Sequence, residues 1–476
     1  MPLPIVDVHC HYFNVQYVVR ELLEMQHEKA LGVYPAFDYF DDDTTPQPQS
    51  IRSFGVGLKK GFEIFLQAMK LGLRSPESNF RYAKDCLAKG ELAGYPLLAC
   101  PLMMDIYYAG ANARWQFPVP MAEPQRVSTE TYLAEARWLE GELLASYRVA
   151  QRAQGLSFEG EANLRVAMRE VIEEGADRLA SGSRPSTGPL AVSPLWPTNS
   201  YLSKGYKHHM EELLRLQGES FDEVFPFFAF DPRRPGILDA VKLLVGQGRP
   251  FRGIKLYPPL GYVPTHPGLY PLYAWASEQR IPITIHTSPG PVRTFASKLY
   301  VPDLREGVYY ETLENFEGRD ASWHFSDPAR WKPVLENPDW PDLRLNFAHL
   351  GGYVETLEYA RALASSGKTN PTSWTEQIIQ LVEKYPGRVF TDFSYFPRDD
   401  SLEALWTLLR ARPKLERGLM FGTDFVMLIF EGKQGDLEDY YSRYAGLPDT
   451  VLRVNALEFL GMRSEEHTSE LQSPNT

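Results

Sequence analysis

The chain has only three cysteines in 476 residues: Cys10, Cys86 and Cys100. An odd, sparse set builds no disulfide framework and points to a reducing compartment. No stretch reaches the ~18–20 apolar residues of a membrane span, and no signal-like segment precedes the first apolar run. A cytoplasmic protein without a membrane partner is the expectation. Basic residues are also in short supply: 49 Lys and Arg stand against 61 Asp and Glu, a formal charge of −12. That balance argues against a nucleic-acid groove, which needs clustered cations. No internal repeat is visible. The expected partner is a small-molecule substrate, and a homo-oligomer stays open.

What remains is ordinary globular material, 43% hydrophobic and 23% charged. Length alone suggests two or three domains, but α/β barrels often run long as one unit. Apolar, strand-like runs recur at Leu3–His11, Leu97–Ile106, Val224–Phe230, Phe251–Tyr257, Ile281–Thr287, Leu343–His349, Arg388–Tyr395 and Leu419–Phe425. Continuous apolar runs are the mark of strands buried on both faces. Helical spacing fills most intervals, as in 236–246, 269–279, 375–384, 402–409 and 448–460. Eight strands alternating with helices predict an α/β fold, a (β/α)₈ TIM barrel with helical insertions. One domain over 1–462 is expected, with insertions at about 30–95, 110–220 and 289–340 that include helical patterns at 51–73 and 129–180 and a Ser/Pro/Gly-rich loop at 181–197. From Arg463 to Ser473 the sequence resembles the translation of a sequencing adapter, so 463–476 is left out of the fold.

The first strand carries Asp7-Val8-His9-Cys10-His11. Strand side chains alternate faces, so His9 and His11 point the same way and can share a metal ion, while Cys10 faces away. Four later runs each end in a residue able to complete such a site: Lys255, His286, His349 and Asp424. In a barrel the C-terminal strand ends meet on one face, where the active site lies. A single buried histidine is more often a core hydrogen-bonding residue than a ligand. Polar residues at five strand ends, in order, make that explanation poor. Asp392, at the end of the seventh run, could orient a ligand from behind.

These residues sit in DVHCH, RGIKLYP, ITIHTS, FAHLGG, FGTDF and NALEFLG. In kind and order the motifs resemble the amidohydrolase superfamily, closest to its amidohydrolase-related branch of metal-dependent barrel hydrolases and decarboxylases. The resemblance implies that His9, His11, His286 and Asp424 bind one divalent ion, Zn²⁺ or else Mn²⁺. It implies that Asp424 and His349 are catalytic, with His349 handling the proton. Lys255 has two implied roles. In two-metal members it is carboxylated and bridges the ions; in the one-metal branch it is an unmodified lysine facing substrate. The GIKLYP context is similar to the latter.

Lys255, Tyr257, Arg293 and His324 are the substrate-binding candidates. Arg293 could grip a carboxylate bidentately. His266 and His324 are expected on loops of the catalytic face, and His208 and His209 on the surface. The implied reaction is hydrolysis of an amide, ester or lactone by metal-activated water. The alternative is non-oxidative decarboxylation of an aromatic or unsaturated carboxylic acid at the same site. A metal-free binding barrel is the rival of another class, opposed by the full ligand set.

Overall fold

A computed structural model describes residues 3–13, 75–107, 204–234, 236–289, 319–428 and 436–462, with short pieces at 293–294, 298–301 and 311–314 and isolated positions elsewhere. The expectations for 51–73, 181–197 and most of 129–180 lie outside the described residues, as does the tail from Arg463.

Eight parallel strands appear where the apolar runs predict them, each shorter than its run. They are β1 (Ile5–Cys10), β2 (Leu97–Pro101), β3 (Phe227–Phe230), β4 (Gly253–Leu256), β5 (Pro282–Ile285), β6 (Arg344–Phe347), β7 (Val389–Asp392) and β8 (Leu419–Met420). β1 pairs with β2, and β3 to β8 form one parallel ladder in sequence order. The two sheets join at both edges. Ala99 and Leu102 bridge to Val224 and Phe227, joining β2 to β3. On the other side Val8 N donates to Phe421 O at 3.1 Å and Asp424 N to His9 O at 2.6 Å. Each strand thus has a partner on both sides, and the sheet closes into a barrel. Closure leaves no edge strand with unpaired backbone groups.

Helices fill the crossovers because parallel neighbours cannot be joined by a tight turn. α1 (Pro76–Leu87) precedes β2; Ser75 caps it, its Oγ accepting from Ser78 N at 3.2 Å, with proline in the first turn. α2 (Lys204–Glu219) precedes β3, α3 (Ile237–Leu244) follows it and α4 (Tyr270–Glu278) follows β4. The β5–β6 connection holds a small antiparallel ribbon, Lys298–Val301 against Glu311–Glu314, and α5 (Arg319–Ser326). α6 (Tyr353–Ser366) and α7 (Trp374–Lys384) follow β6, and α8 (Asp400–Ala411) follows β7.

The predicted closing helix over 448–460 is split into a π turn at Thr450–Val454 and α9 (Asn455–Phe459). Phe459 packs on Phe227 and Phe390, with ring centroids 6.1 and 5.3 Å apart. Val6, Val8, Leu98 and Met420 complete that cluster. Burying an aromatic or aliphatic side chain contributes about 1.5–3 kcal/mol, so this helix is a substantial plug. It sits at the end where strands begin: Arg252, just before β4, donates to Leu460 O at 2.7 Å. The opposite end is left for chemistry.

Candidate metal centre

Asp7 and His9 alternate along β1, His11 follows directly after its end, and all three are buried. His9 Nε2 lies 3.5 Å and His11 Nε2 3.3 Å from Asp424 Oδ1. Asp424 reaches them through a left-handed backbone (φ 56°), which aspartate tolerates better than most residues. The turn before it is pinned from below: Asp7 accepts from Thr423 N at 2.9 Å, Thr423 Oγ1 at 2.6 Å and His9 N at 3.2 Å. Gly422 must be glycine there, because a Cβ would stand 2.9 Å from His9 Cβ and 3.1 Å from Ser394 Cβ.

His349 leaves β6 with φ 66°, followed by Leu350 at φ 48°. Its backbone N donates to Asp392 Oδ1 at 3.1 Å. Donor atoms of His9, His349 and Asp424 all lie within 4.8 Å of one another, close enough for one ion. His286 follows β5, and its Nδ1 is 3.1 Å from His349 Nε2. Its ring stacks on Tyr257 with centroids 4.4 Å apart.

Each imidazole is held from outside by one nitrogen. His9 Nδ1 meets Asp392 Oδ2 at 3.3 Å; His11 Nδ1 meets Leu102 O at 2.9 Å. His286 Nε2 meets Ser288 O at 3.1 Å; His349 Nδ1 meets Ser394 O at 3.3 Å. An N–H donated to each outer oxygen leaves the other nitrogen bare and turned inward, the tautomer a metal ligand requires. Burial keeps the rings neutral. It pushes His9 down to about 4, aided by Lys255, and His11, His286 and His349 well below the ordinary histidine value.

The residues fit a cation. His9 Nε2 and Asp424 Oδ1 are buried without a hydrogen bond, and an unsatisfied buried polar group is costly. The bare nitrogens of His286 and His349 also face each other, which needs a proton or a cation between them. Burial drives the Asp424 carboxyl well above the usual carboxylate range, with Lys255 opposing the rise. A cation would reverse that shift.

Behind the ligands, Asp392 Oδ2 also accepts from Asn346 Nδ2 at 2.7 Å, and Oδ1 from Ser394 N at 3.1 Å. Burial works against its ionisation, but His9, His349 and Ser394 outweigh it and hold the carboxyl far below its ordinary value. Asp392 therefore orients His9 as a carboxylate–histidine pair. Asp7, Asn346, Thr423 and Ser394 were not foreseen. Only Asp7, two residues before His9 on the same strand face, carried a signal.

The remaining candidates divide. Lys255 is inside β4, with its Nζ buried and without a hydrogen-bond partner. Arg293 is half-buried, on a segment tied to the turn after β4 by Thr294 N donating to Pro259 O at 2.8 Å. His324 is not on a loop but in α5, where Arg330 donates to its Nδ1 at 2.9 Å. His266 is buried, and its Nδ1 accepts from Gly268 N at 3.0 Å, capping a short turn. His209 is no surface residue: it is fully buried, with its ring 6.3 Å from Phe13. The helix α2 turns it inward. Cys10, Cys86 and Cys100 are free and buried.

This burial predicts acid sensitivity in chelator-treated protein. His9, His11, His286, His349, His209 and His266 all titrate lower in the fold than the unfolded value of about 6.5. Below that pH the unfolded chain binds more protons, so stability falls as pH drops from about 6.5 toward 4. Asp7, which burial pushes up to about 7, Asp424 and Asp105 act in the opposite sense. Seven histidines, counting His324, which burial lowers to about 4, outweigh three carboxyls, and each net proton is worth up to about 1.4 kcal/mol per pH unit. Denaturant midpoints at pH 7 and pH 5 check this; an equal or higher midpoint at pH 5 would contradict it.

Strand-end imidazoles and a carboxylate at one mouth of a parallel barrel define a candidate metal-centred enzyme. The sequence agrees: the model of the amidohydrolase family (Amidohydro_2) matches residues 212–461, over half of the chain. The chain belongs to the amidohydrolase family and is an enzyme of that superfamily. No curated protein matches the sequence. Among solved structures, it is similar to a 5-carboxyvanillate decarboxylase from Novosphingobium aromaticivorans complexed with manganese (14% identity, TM-score 0.35, 70% of this chain and 92% of that one). It is also similar to a 4-oxalomesaconate hydratase from Rhodopseudomonas palustris (16%, 0.34, 57% and 76%). A third is an uncharacterised TIM-barrel protein from Bordetella bronchiseptica (17%, 0.34, 53% and 72%). Among the described residues, no helix is long and apolar enough to cross a membrane.

Proposed function

We propose that this protein is a metal-dependent hydrolase of a small amide, ester or lactone. One divalent ion, Zn²⁺ in preference to Mn²⁺, is held by His9, His11, His286 and Asp424. The observation that carries this is the pair of buried, unbonded atoms His9 Nε2 and Asp424 Oδ1, 3.5 Å apart. Neutral imidazoles with one carboxylate suit zinc. A divalent ion there would supply Lewis acidity, polarising a carbonyl and making water acidic near neutral pH.

The chain's own groups do the rest. Asp424 accepts the proton of the attacking water. Asp424 passes that proton to His349 Nε2, bare and oriented through Ser394, which delivers it to the leaving group. Its place beside the His9–Asp424 pair keeps Nε2 within reach of that proton. Tyr257, Arg293 and His324 are proposed to contact substrate.

A second reading, non-oxidative decarboxylation, gains support from one observation: the unpaired buried ammonium of Lys255 suits an acid substrate. A panel of lactones, aryl amides, esters and aromatic carboxylic acids, run with metal-loaded protein, separates the two. Water-dependent cleavage without release of CO₂ is expected. CO₂ released from an acid, with no amide, ester or lactone cleaved, would reverse the assignment.

A further inference from the structure

Beside the centre lies a small cavity between the segments that follow β2, β3 and β4. Met103, Phe230 and Leu260 give it apolar walls. Two aspartates also line it, and both are committed to arginines. Asp105 accepts from Arg234 Nη2 at 2.7 Å and Nε at 2.8 Å. Asp231 accepts from Arg233 Nη2 at 2.6 Å and Nε at 2.8 Å. Such bidentate forks are the strong form of ion pair. Arg234 is held further between the rings of Tyr107 and Tyr206, at 5.1 and 4.6 Å.

Lys255 lines the same cavity and has no such partner. It is 1% exposed, and its Nζ makes no hydrogen bond. The Tyr257 ring, 6.0 Å away, is at the limit of a cation–π contact. Of the anionic groups across the site, Asp392 is engaged by His9, Asn346 and Ser394, and Asp424 faces His9 and His11 at 3.5 and 3.3 Å. A buried ammonium without a partner is costly, and the arginine forks keep the nearby aspartates from relieving it.

We propose that Lys255 Nζ anchors a carboxylate carried by the substrate in this cavity, so that the enzyme takes small amides, esters or lactones bearing a free carboxylate. This rests on the hydrolase reading for the reacting bond, but not for the anion site. Apolar walls favour a carboxylate on a hydrocarbon body. A phosphate would call for the forked donors of Arg233 and Arg234, which the aspartates hold. Tyr257 lines the same cavity.

The test is calorimetric binding of propionate and benzoate, each against its own amide, to the full chain with and without metal. At least one acid is expected to bind ~10-fold or more tightly than its amide, in both metal states. Lys255→Met should remove that preference while keeping the metal content and melting temperature. Equal binding of acid and amide by the wild-type protein overturns the proposal without need of a variant. So does a preference that survives in Lys255→Met or vanishes with the metal, since the anion then sits on the ion. A Lys255-dependent preference in a protein that cleaves no amide, ester or lactone would leave the anion site standing and defeat the hydrolase reading alone.

Discussion

Replacing Asp424 with asparagine is expected to lower kcat by about 10²–10⁴-fold, the usual contribution of a positioned acid–base group. The same change should make the metal-free protein more stable. Asparagine keeps the shape and tolerates the left-handed backbone at this position (φ 56°). What it removes is a buried carboxyl whose Oδ1 has no hydrogen bond and whose pKa burial pushes well up. Relief of roughly 1–3 kcal/mol is expected at pH 8, where the carboxyl is ionised in the unfolded chain but burial disfavours its charge in the fold. Chemical denaturation of chelator-treated proteins reads the stability, and turnover on the panel's best substrate reads the rate. An active variant, or one less stable without metal, would contradict the role given to Asp424.

Asp392→Asn is expected to behave in the opposite way. Asp392 is ionised in the fold and accepts from His9, Asn346, Ser394 and the His349 backbone. An amide would turn an NH₂ against donors that now find an oxygen. Stability should fall by about 1.5–3 kcal/mol, the worth of hydrogen bonds to a buried charged group. Metal affinity should fall by about 10–100-fold, as His9 loses its orienting carboxylate. Competition with a chromophoric chelator measures the affinity. Equal affinity would show that Asp392 is merely a core residue. Two neighbouring carboxylates thus respond to the same substitution with opposite signs, because one is satisfied by the fold and the other awaits a cation.

Much of this site is legible in the sequence. His9, His11, His286, His349 and Asp424 come together because each closes an apolar run, and parallel strands bring their ends to one mouth. The fold follows from those runs, but their ends do not. His349 and Asp424 lie past β6 and β8 on left-handed backbone, so each run outlasts its ladder. Residue type does not announce a left-handed histidine followed by a left-handed leucine. Ser394 and Asn346 look like any polar residue near a strand end; only the pairing of β6 with β7, which brings both to Asp392, gives them a task. Asp231, Arg233 and Arg234 stand just after β3, where catalytic groups are expected, yet Arg233 is taken by Asp231 and Arg234 by Asp105, far away in sequence. His209 misled because a polar stretch of sequence hides its inward-facing helical stripe.

The most direct measurement is the divalent metal content of the purified chain by mass spectrometry, before and after dialysis against chelator and again after reloading. One equivalent per chain is expected, recoverable in Lys255→Met, and abolished in a His9→Ala, His11→Ala double variant whose circular dichroism is unchanged. A chain that neither retains nor rebinds a divalent ion would contradict the metal centre outright. Two equivalents, both lost with Lys255, would replace it with a two-ion site bridged by a carboxylated lysine.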